Sequence, residues 1–207
     1  MNVVCKLIVF LSVGLFFSAC ASTATQITED NGSAMTQLAA KQIENKAYAD
    51  EDRDWSTAPT DNLKVEPYHS PTPSTHPDAR LINTFDLREM ILSGDEPVVI
   101  NVLGTSGNLD KIEGIPSSVW MKGGGLGTLD ATKQKLFADA LTQLTGGNSD
   151  KALVFYCLDA RCWLSYNSAT RAHLLGYSNV YWYRGGIASW WEAGLPLFRQ
   201  PVAYDFL

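Results

Sequence analysis

The apolar and polar positions of the chain fall into two unlike stretches. From about residue 79 onward, short apolar runs alternate with segments of helical spacing. Residues 97–103 (PVVINVL), 152–156 (ALVFY) and 179–183 (NVYWY) are continuous apolar or aromatic runs of strand length, the pattern of strands buried on both faces. Residues 115–116 and 119–121 predict a further short extended segment. Residues 85–92, 129–144, 164–175 and 187–193 carry the spacing of helices. Thr84 is the predicted N-cap of the first helix, and Gly94, Gly146, Gly176 and Gly194 stand where the four should stop. Alternating strands and helices predict an α/β domain with a mainly parallel sheet covered on both faces. In such sheets the reactive groups collect beyond the C-terminal ends of the strands.

Residues 21–78 read differently. They are rich in Thr, Ser, Ala, Asp and Glu and poor in large apolar side chains. Residues 34–49 have helical spacing with a thin apolar face, and Pro67, Pro71, Pro73 and Pro77 mark a semi-extended stretch. The expectation is a polar tether or loosely ordered arm over 21–78, a folded domain over 79–200 and a C-terminal tail over 201–207. No internal repeat is evident.

The first twenty residues have the pattern of an export leader. Lys6 supplies a positive start, and residues 7–17 (LIVFLSVGLFF) are an apolar run of secretory length, too short for a comfortable membrane span. Phe17-Ser18-Ala19-Cys20 resembles a bacterial lipobox, which implies a leader over 1–20 and acylation at Cys20. Ala19-Cys20-Ala21 also has the small-x-small form of ordinary cleavage after Ala21, which would give a soluble periplasmic product. Either route takes the mature chain out of the cytoplasm.

Composition narrows the function. The 207 residues are 45% hydrophobic and 18% charged, ordinary for a folded protein, and the formal net charge is -6. An acidic chain argues against a nucleic-acid partner. With Cys5 in the leader and Cys20 acylated or removed, only Cys157 and Cys162 remain in the folded part. In an oxidising compartment they are either a disulfide or a working thiol pair.

Cys157 follows directly on the strand 152–156, and Leu158, Asp159, Ala160, Arg161, Cys162 and Trp163 lead into the next helix. A tight strand-to-helix loop aims backbone N–H groups at one point, and the helix N-terminus adds partial positive charge. Both favour a thiolate at Cys157 and would hold a sulfur anion, with Arg161 as a local cation. Asp159 opposes this by repulsion, or forms a solvated pair with Arg161. The bland alternative is a structural disulfide or two buried thiols.

The loop, with Ala169 and His173-Leu174-Leu175-Gly176-Tyr177-Ser178-Asn179-Val180-Tyr181 after it, resembles the active loop and following helix of rhodanese domains. Tyr183-Arg184-Gly185-Gly186-Ile187-Ala188-Ser189-Trp190 is similar to that family's closing Gly-Gly-x-x-x-Trp segment, and Glu192-Ala193-Gly194-Leu195-Pro196 to its continuation. Residues 84–102 resemble its opening helix and strand, and Gly114-Ile115-Pro116-Ser117-Ser118-Val119 its G-x-IPGA segment. The resemblance spans residues 81–196. It implies a rhodanese-like three-layer α/β/α fold with Cys157 as a persulfide-forming sulfur acceptor, its terminal sulfur held by the amides of residues 158–163. Tyr68-His69-Ser70-Pro71-Thr72-Pro73, Ile115-Pro116-Ser117-Ser118-Val119-Trp120 and Cys162-Trp163 further resemble a periplasmic rhodanese-like group. Its members are described as CXXCW-motif proteins associated with catabolism dependent on pyrroloquinoline quinone (PQQ). Here four residues, not two, separate the cysteines.

Three positions depart from the family. Cys162 stands where a basic or polar residue is common, Trp163 where a small one is, and Asn101 where the strand usually ends in Asp. They argue against plain thiosulfate:cyanide transfer. Cys162 is the candidate resolving thiol, which would attack at Cys157 and leave a disulfide. A phosphatase reading lacks the Arg that would clamp phosphate at the loop's end.

The remaining signals are mostly structural. The glycine-rich residues 123–127 lack the Lys-Ser/Thr of a phosphate loop, so they read as a flexible rim. Trp120, Gly124 and Arg184 are candidate rim residues. Trp182, Trp190 and Trp191 read as core and rim packing. His69, His76 and His173 show no metal spacing, and no cofactor motif is present.

Two functions follow. In one, an exported, lipid-anchored protein performs sulfur transfer or thiol redox chemistry on a small sulfur substrate or a thiol partner protein. In the other it is a catalytically inactive accessory or binding module for a periplasmic PQQ-dependent dehydrogenase system, with a structural Cys157–Cys162 disulfide.

Overall fold

The computed structural model describes residues 18–104 and 111–207, with only the backbone for 18–25. Residues 1–17 of the expected leader lie outside the described residues. The elements run α1 (Ser18–Ala40), β1 (Arg80–Leu81), α2 (Thr84–Leu92), β2 (Val98–Asn101), β3 (Lys111–Gly114), β4 (Val119–Lys122), α3 (Ala131–Thr145), β5 (Leu153–Tyr156), α4 (Trp163–Leu174), β6 (Val180–Tyr183), α5 (Gly186–Glu192) and β7 (Phe198–Asp205). Among the described residues no helix is long and apolar enough to cross a membrane.

The strands form one sheet in the order β1-β6-β5-β2-β4-β7-β3. Every neighbouring pair is parallel except β3–β7. The apolar runs behave as strands buried on both faces. In β5, Leu153 and Phe155 face α3 and α4, while Val154 and Tyr156 face the opposite layer with Leu38 of α1, Leu87 of α2 and Trp190 of α5. Two apolar clusters on either side of one sheet give three layers, the expected α/β/α arrangement.

Helix ends follow local chemistry. Asp130 caps α3 by accepting from Lys133 N, and Gly146 ends that helix in the left-handed conformation. The cap of α2 is Asn83, whose side chain accepts from Asp86 N, rather than Thr84. Thr84 is buried one residue further on, where its hydroxyl and N–H donate to Glu51.

Two stretches differ from the sequence expectation. Residues 201–207 are not a loose tail: β7 runs to Asp205, parallel to β4, and Phe206 is buried against Phe137. Residues 21–78 are not a loose arm either. After α1, the segment lies along the domain and buries Tyr48, Glu51, Thr72 and His76. Its ties are hydrogen bonds to backbone and to single buried polar groups. Ser189 Oγ donates to Tyr48 O at 2.7 Å, Lys64 N donates to Asn167 Oδ1 at 2.8 Å, and Arg88 donates to Leu38 O and Lys41 O at the C-terminus of α1. Such anchors leave no apolar periodicity in the sequence.

Candidate active loop

β5 is a central strand between β6 and β2, and Cys157 is the first residue beyond its C-terminal end. The chain then turns through residues 158–162 into α4. Cys157 O accepts from Ile187 N at 3.1 Å and Leu158 O from Ala188 N at 2.9 Å, so the loop sits on the start of α5. Gly186 makes this approach: its φ is 58°, and a Cβ there would strike the Cys157 carbonyl.

Cys157 and Cys162 form a disulfide across a Cα–Cα distance of 6.1 Å. Both are buried, at 1% and 5% exposure, within the cluster shared with Trp163 and Leu164. The thiolate expected at Cys157 is therefore absent from this oxidised form.

The amide cradle expected over residues 158–163 is partly occupied. Arg161 N donates to Asp159 Oδ1 at 2.8 Å, Cys162 N to Asp159 O at 3.0 Å, and Trp163 N to Tyr68 O at 2.9 Å. The last bond comes from a strap, residues 68–72 of the arm, which runs antiparallel to the loop. Ser70 N donates to Arg161 O at 3.0 Å, and Thr72 Oγ1 to Ala160 O at 2.5 Å. His69 lies opposite Cys162 in a β-bridge. Its Nε2 sits 3.0 and 3.1 Å from the two Asp159 oxygens, so Asp159 pairs with His69 rather than with Arg161. Sequence reading missed the strap. The resemblance placed Tyr68 to Pro73 within a motif, but nothing in the spacing says that the motif crosses the cysteine loop.

Arg184 fixes the strap from below. It is 2% exposed and donates through Nε to Thr72 Oγ1 (3.0 Å), through Nη2 to Thr72 O (3.2 Å) and through Nη1 to Glu51 O (3.1 Å). The guanidinium lies 4.7 Å from the Trp55 ring centroid, and burial lowers its pKa. Glu51 accepts from Tyr48 N, Thr84 N and Thr84 Oγ1, and burial outweighs these bonds to raise its carboxyl pKa.

Leu158 and Arg161 are exposed, and Arg161 faces the Trp55 ring at 5.5 Å. A cavity of about 380 Å³ lies against the loop, lined by Asp50, Trp55, His69, Asp159, Ala160 and Arg161 among others. Trp163 is buried, with no hydrogen-bond partner on its indole N–H and Lys64 Nζ 5.7 Å from its ring.

The other candidate rim residues, Trp120 and Gly124, do not line that cavity. Trp120 is wholly buried and donates to Leu103 O at 2.9 Å. Gly124 is buried in a turn, where its N–H donates to Met121 O at 2.9 Å. Trp182 and Trp190 are core residues, but Trp191 is 71% exposed. Asn101, in place of the family's Asp, donates to Gln200 Oε1 at 3.1 Å and accepts from Leu103 N at 3.0 Å. Among the described residues no cluster of His, Cys, Asp and Glu is arranged to hold a metal.

Several solved structures match part of this chain. They include a polysulfide-sulfur transferase homodimer from Wolinella succinogenes, at 18% identity and TM-score 0.42, covering 58% of this chain and 79% of that one. A thiosulfate sulfurtransferase from Pseudomonas aeruginosa matches at 15% identity and TM-score 0.43, over 62% of this chain and 22% of that one. An uncharacterized protein from Saccharomyces cerevisiae matches at 20% identity and TM-score 0.40, over 56% of this chain and 94% of that one. No curated protein matches the sequence. The family description "Rhodanese-like domain" matches residues 78–193, more than half of the chain and the whole run from β1 to α5. On that match the chain belongs to the rhodanese-like domain family.

Proposed function

We propose that the protein performs sulfur transfer through Cys157 and stores that cysteine as a disulfide with Cys162 until a reductant opens it. The observation that carries this reading is the position of the disulfide. It joins the residue that follows β5 to the residue that caps α4, across the loop where the family's chemistry is expected. Reduction by a dithiol frees both sulfurs. The Cys157 thiolate attacks the outer sulfur of thiosulfate, forming a Cys157 persulfide and releasing sulfite. The Cys162 thiolate then attacks Cys157 Sγ, re-forming the disulfide and releasing hydrosulfide. A dithiol reductant, oxidised to its own disulfide, completes the cycle. Residues 158–160 supply the amides nearest the new sulfur anion, and Arg161 a cation at the loop's edge.

The leader pattern supports export and acylation at Cys20. The narrower family resemblance supports a place beside a periplasmic PQQ-dependent dehydrogenase system, with a small sulfur substrate or thiol protein as the direct partner. The scheme requires no cofactor.

The burial of both sulfurs and the occupied amides of Arg161, Cys162 and Trp163 favour a second reading, an inactive accessory whose disulfide is permanent. Intact mass of the purified protein separates the two. Under the first, reduced C162S protein gains one sulfur from thiosulfate, and C157S gains none. If reduced wild-type and C162S proteins both stay at the unmodified mass, the accessory reading replaces it. The same spectrum weighs the mature N-terminus and reads acylation at Cys20.

A further inference from the structure

We infer that the strap, residues 68–72, is a gate on the Cys157–Cys162 disulfide, and that the Thr72 hydroxyl is its latch. The gate governs how a reductant reaches the disulfide, whatever chemistry the freed thiols then perform, so it stands apart from the sulfur-transfer reading.

A gate is needed because the disulfide has no open face. Cys157 is 1% exposed and Cys162 5%. A thiolate that opens a disulfide must reach one of its sulfurs, so some part of the surround has to move first. Two elements clamp the loop. The start of α5 holds the Cys157 end, where Ile187 N donates to Cys157 O and Ala188 N to Leu158 O. The strap holds the Cys162 end. His69 is bridged to Cys162, and the bonds from Trp163 N to Tyr68 O and from Ser70 N to Arg161 O flank that pair.

The two clamps are not equally firm. Gly186, Ser189 and Trp190 of α5 are buried, and Gly186 lies so close to Cys157 O that a Cβ would strike it. In and before the strap, Glu66, Pro67, His69 and Pro71 are exposed and Ser70 is half-buried. Segments with exposed backbone bonds and few buried apolar contacts are the ones that open locally. The strap is therefore the clamp that yields.

Its two ends are fixed. Tyr68 packs against the core, and its hydroxyl accepts from Gly127 N at 3.1 Å. Thr72 is wholly buried. Its Oγ1 accepts from Arg184 Nε at 3.0 Å and donates to Ala160 O at 2.5 Å. A hydroxyl has a single proton, so the order is set: guanidinium to hydroxyl to cysteine loop. The charge on Arg184 polarises the hydroxyl and strengthens its donation. The His69–Asp159 contact is more open to water and holds less.

With the strap lifted, one thiolate of a dithiol attacks one cysteine sulfur. The S–S bond breaks and the other cysteine leaves as a thiolate. The dithiol's second sulfur then attacks its first in the mixed disulfide and releases the remaining cysteine. The dithiol departs oxidised, as its own disulfide, and the protein is left reduced at both sulfurs.

The rate at which dithiothreitol opens the disulfide tests the gate in the full-length protein, as wild type, Thr72→Val, Thr72→Ser and Gly146→Ala. Valine keeps the shape of threonine without the hydroxyl, and serine keeps the hydroxyl. Gly146 ends α3 in the left-handed conformation with open space around it, outside strap and loop, so its alanine variant lowers stability without touching either. Thr72→Val should open about tenfold faster, the effect of losing one charge-linked hydrogen bond. Thr72→Ser and Gly146→Ala should stay near wild type. A Thr72→Val rate equal to wild type overturns the gate. So does an equal acceleration in Gly146→Ala, which would route reduction through general unfolding.

Amide hydrogen exchange in the oxidised protein reads the same motion directly. The Ser70 and Trp163 amides, whose bonds join strap and loop, should exchange faster than those of Val154 and Phe155 in β5. Thr72→Val should speed the first pair and leave the second unchanged. Ser70 and Trp163 amides as slow as β5 mean that the strap does not lift by itself, and the gate fails. Neither measurement requires sulfur uptake, so a protein that takes no sulfur from thiosulfate yet opens faster as Thr72→Val sinks the transfer scheme alone.

Discussion

Two loops meet α4, and they differ in the part of the peptide group they turn to their partners. The glycine loop, residues 123–127 after β4, turns its carbonyls toward the helix. Gly125 O accepts from Asn167 Nδ2 at 2.8 Å, Gly124 O from Arg171 Nη1 at 3.1 Å and Leu126 O from Arg171 Nη2 at 2.8 Å. The cysteine loop gives two carbonyls, of Ala160 and Arg161, to the strap, but it also turns N–H groups to acceptors on Asp159 and on Tyr68 of the strap. The first loop is an acceptor cradle filled by a resident cation. The second is a donor cradle of the kind that holds anions, partly filled by the strap. Burial pushes the Arg171 guanidinium down to about 10, because its partners are neutral carbonyls rather than carboxylates. A filled acceptor cradle is structure. The cysteine loop, by contrast, is closed by a disulfide, a bond that a reductant can break.

The contrast can be broken from the glycine side first. A Cβ on Gly125 would overlap the backbone carbonyl of Leu164, which cannot step aside as a side-chain tip would. Gly125→Ala should cost about 3 kcal/mol or more in urea unfolding, because either the loop or the helix must move. A loss under about 1 kcal/mol would mean the loop is not packed on α4. Arg171→Met keeps much of the apolar stem but leaves the Gly124 and Leu126 carbonyls unpaired inside the protein. The expected loss is about 2–3 kcal/mol, with the fold retained. On the cysteine side the effect is smaller. The disulfide closes a loop with a sequence separation of 5, and chain entropy gives such a short loop about 2 kcal/mol. Reduction should therefore lower the unfolding midpoint without unfolding the domain, as calorimetry with and without a dithiol would show. Collapse on reduction would make the disulfide a staple and remove the grounds for a reversible one.

The same contrast explains what was legible in the sequence. β2, β5 and β6 were plain because buried strands carry continuous apolar runs, and Ile100, Phe155 and Trp182 do reach one shared core. Cys157 was legible because a cysteine directly after a strand is a local pattern. The strap was not, because its grip on the loop is mostly backbone bonds, and its two side-chain ties, Thr72 to Ala160 O and His69 to Asp159, join residues far apart in the sequence with no local pattern. Arg184 is a candidate rim residue by sequence, yet its three donors go to Thr72 and to the Glu51 carbonyl. β7 was missed for a related reason. Its eight residues change partner from β3 to β4 around Pro201, so no single alternation runs through them.

The smallest effect concerns the third grip on α4, which comes from the arm. His76 is buried with its Nε2 3.2 Å from both Tyr166 O and Thr170 Oγ1, while Nδ1 accepts from Asp78 N at 3.0 Å. The tautomer is fixed: Nε2 carries the proton and Nδ1 is the acceptor. Adding a second proton at Nδ1 would set it against the Asp78 N–H, inside a site that already disfavours charge. Burial is the leading cause that lowers the His76 pKa, opposed by the bond to Tyr166 O and by Asp78. Below the unfolded histidine value of about 6.5 the unfolded chain therefore binds more protons than the folded one. The neutral ring's contribution is complete above that pH and is lost as pH falls toward the lowered folded value. Wild-type protein should lose stability on acidification faster than His76→Gln does, and the two unfolding midpoints should converge toward acid. Parallel curves would mean that His76 titrates alike in the folded and unfolded chains. The arm's hold on α4, which also runs through Tyr166–Thr60 and Asn167–Lys64, would then not respond to protons.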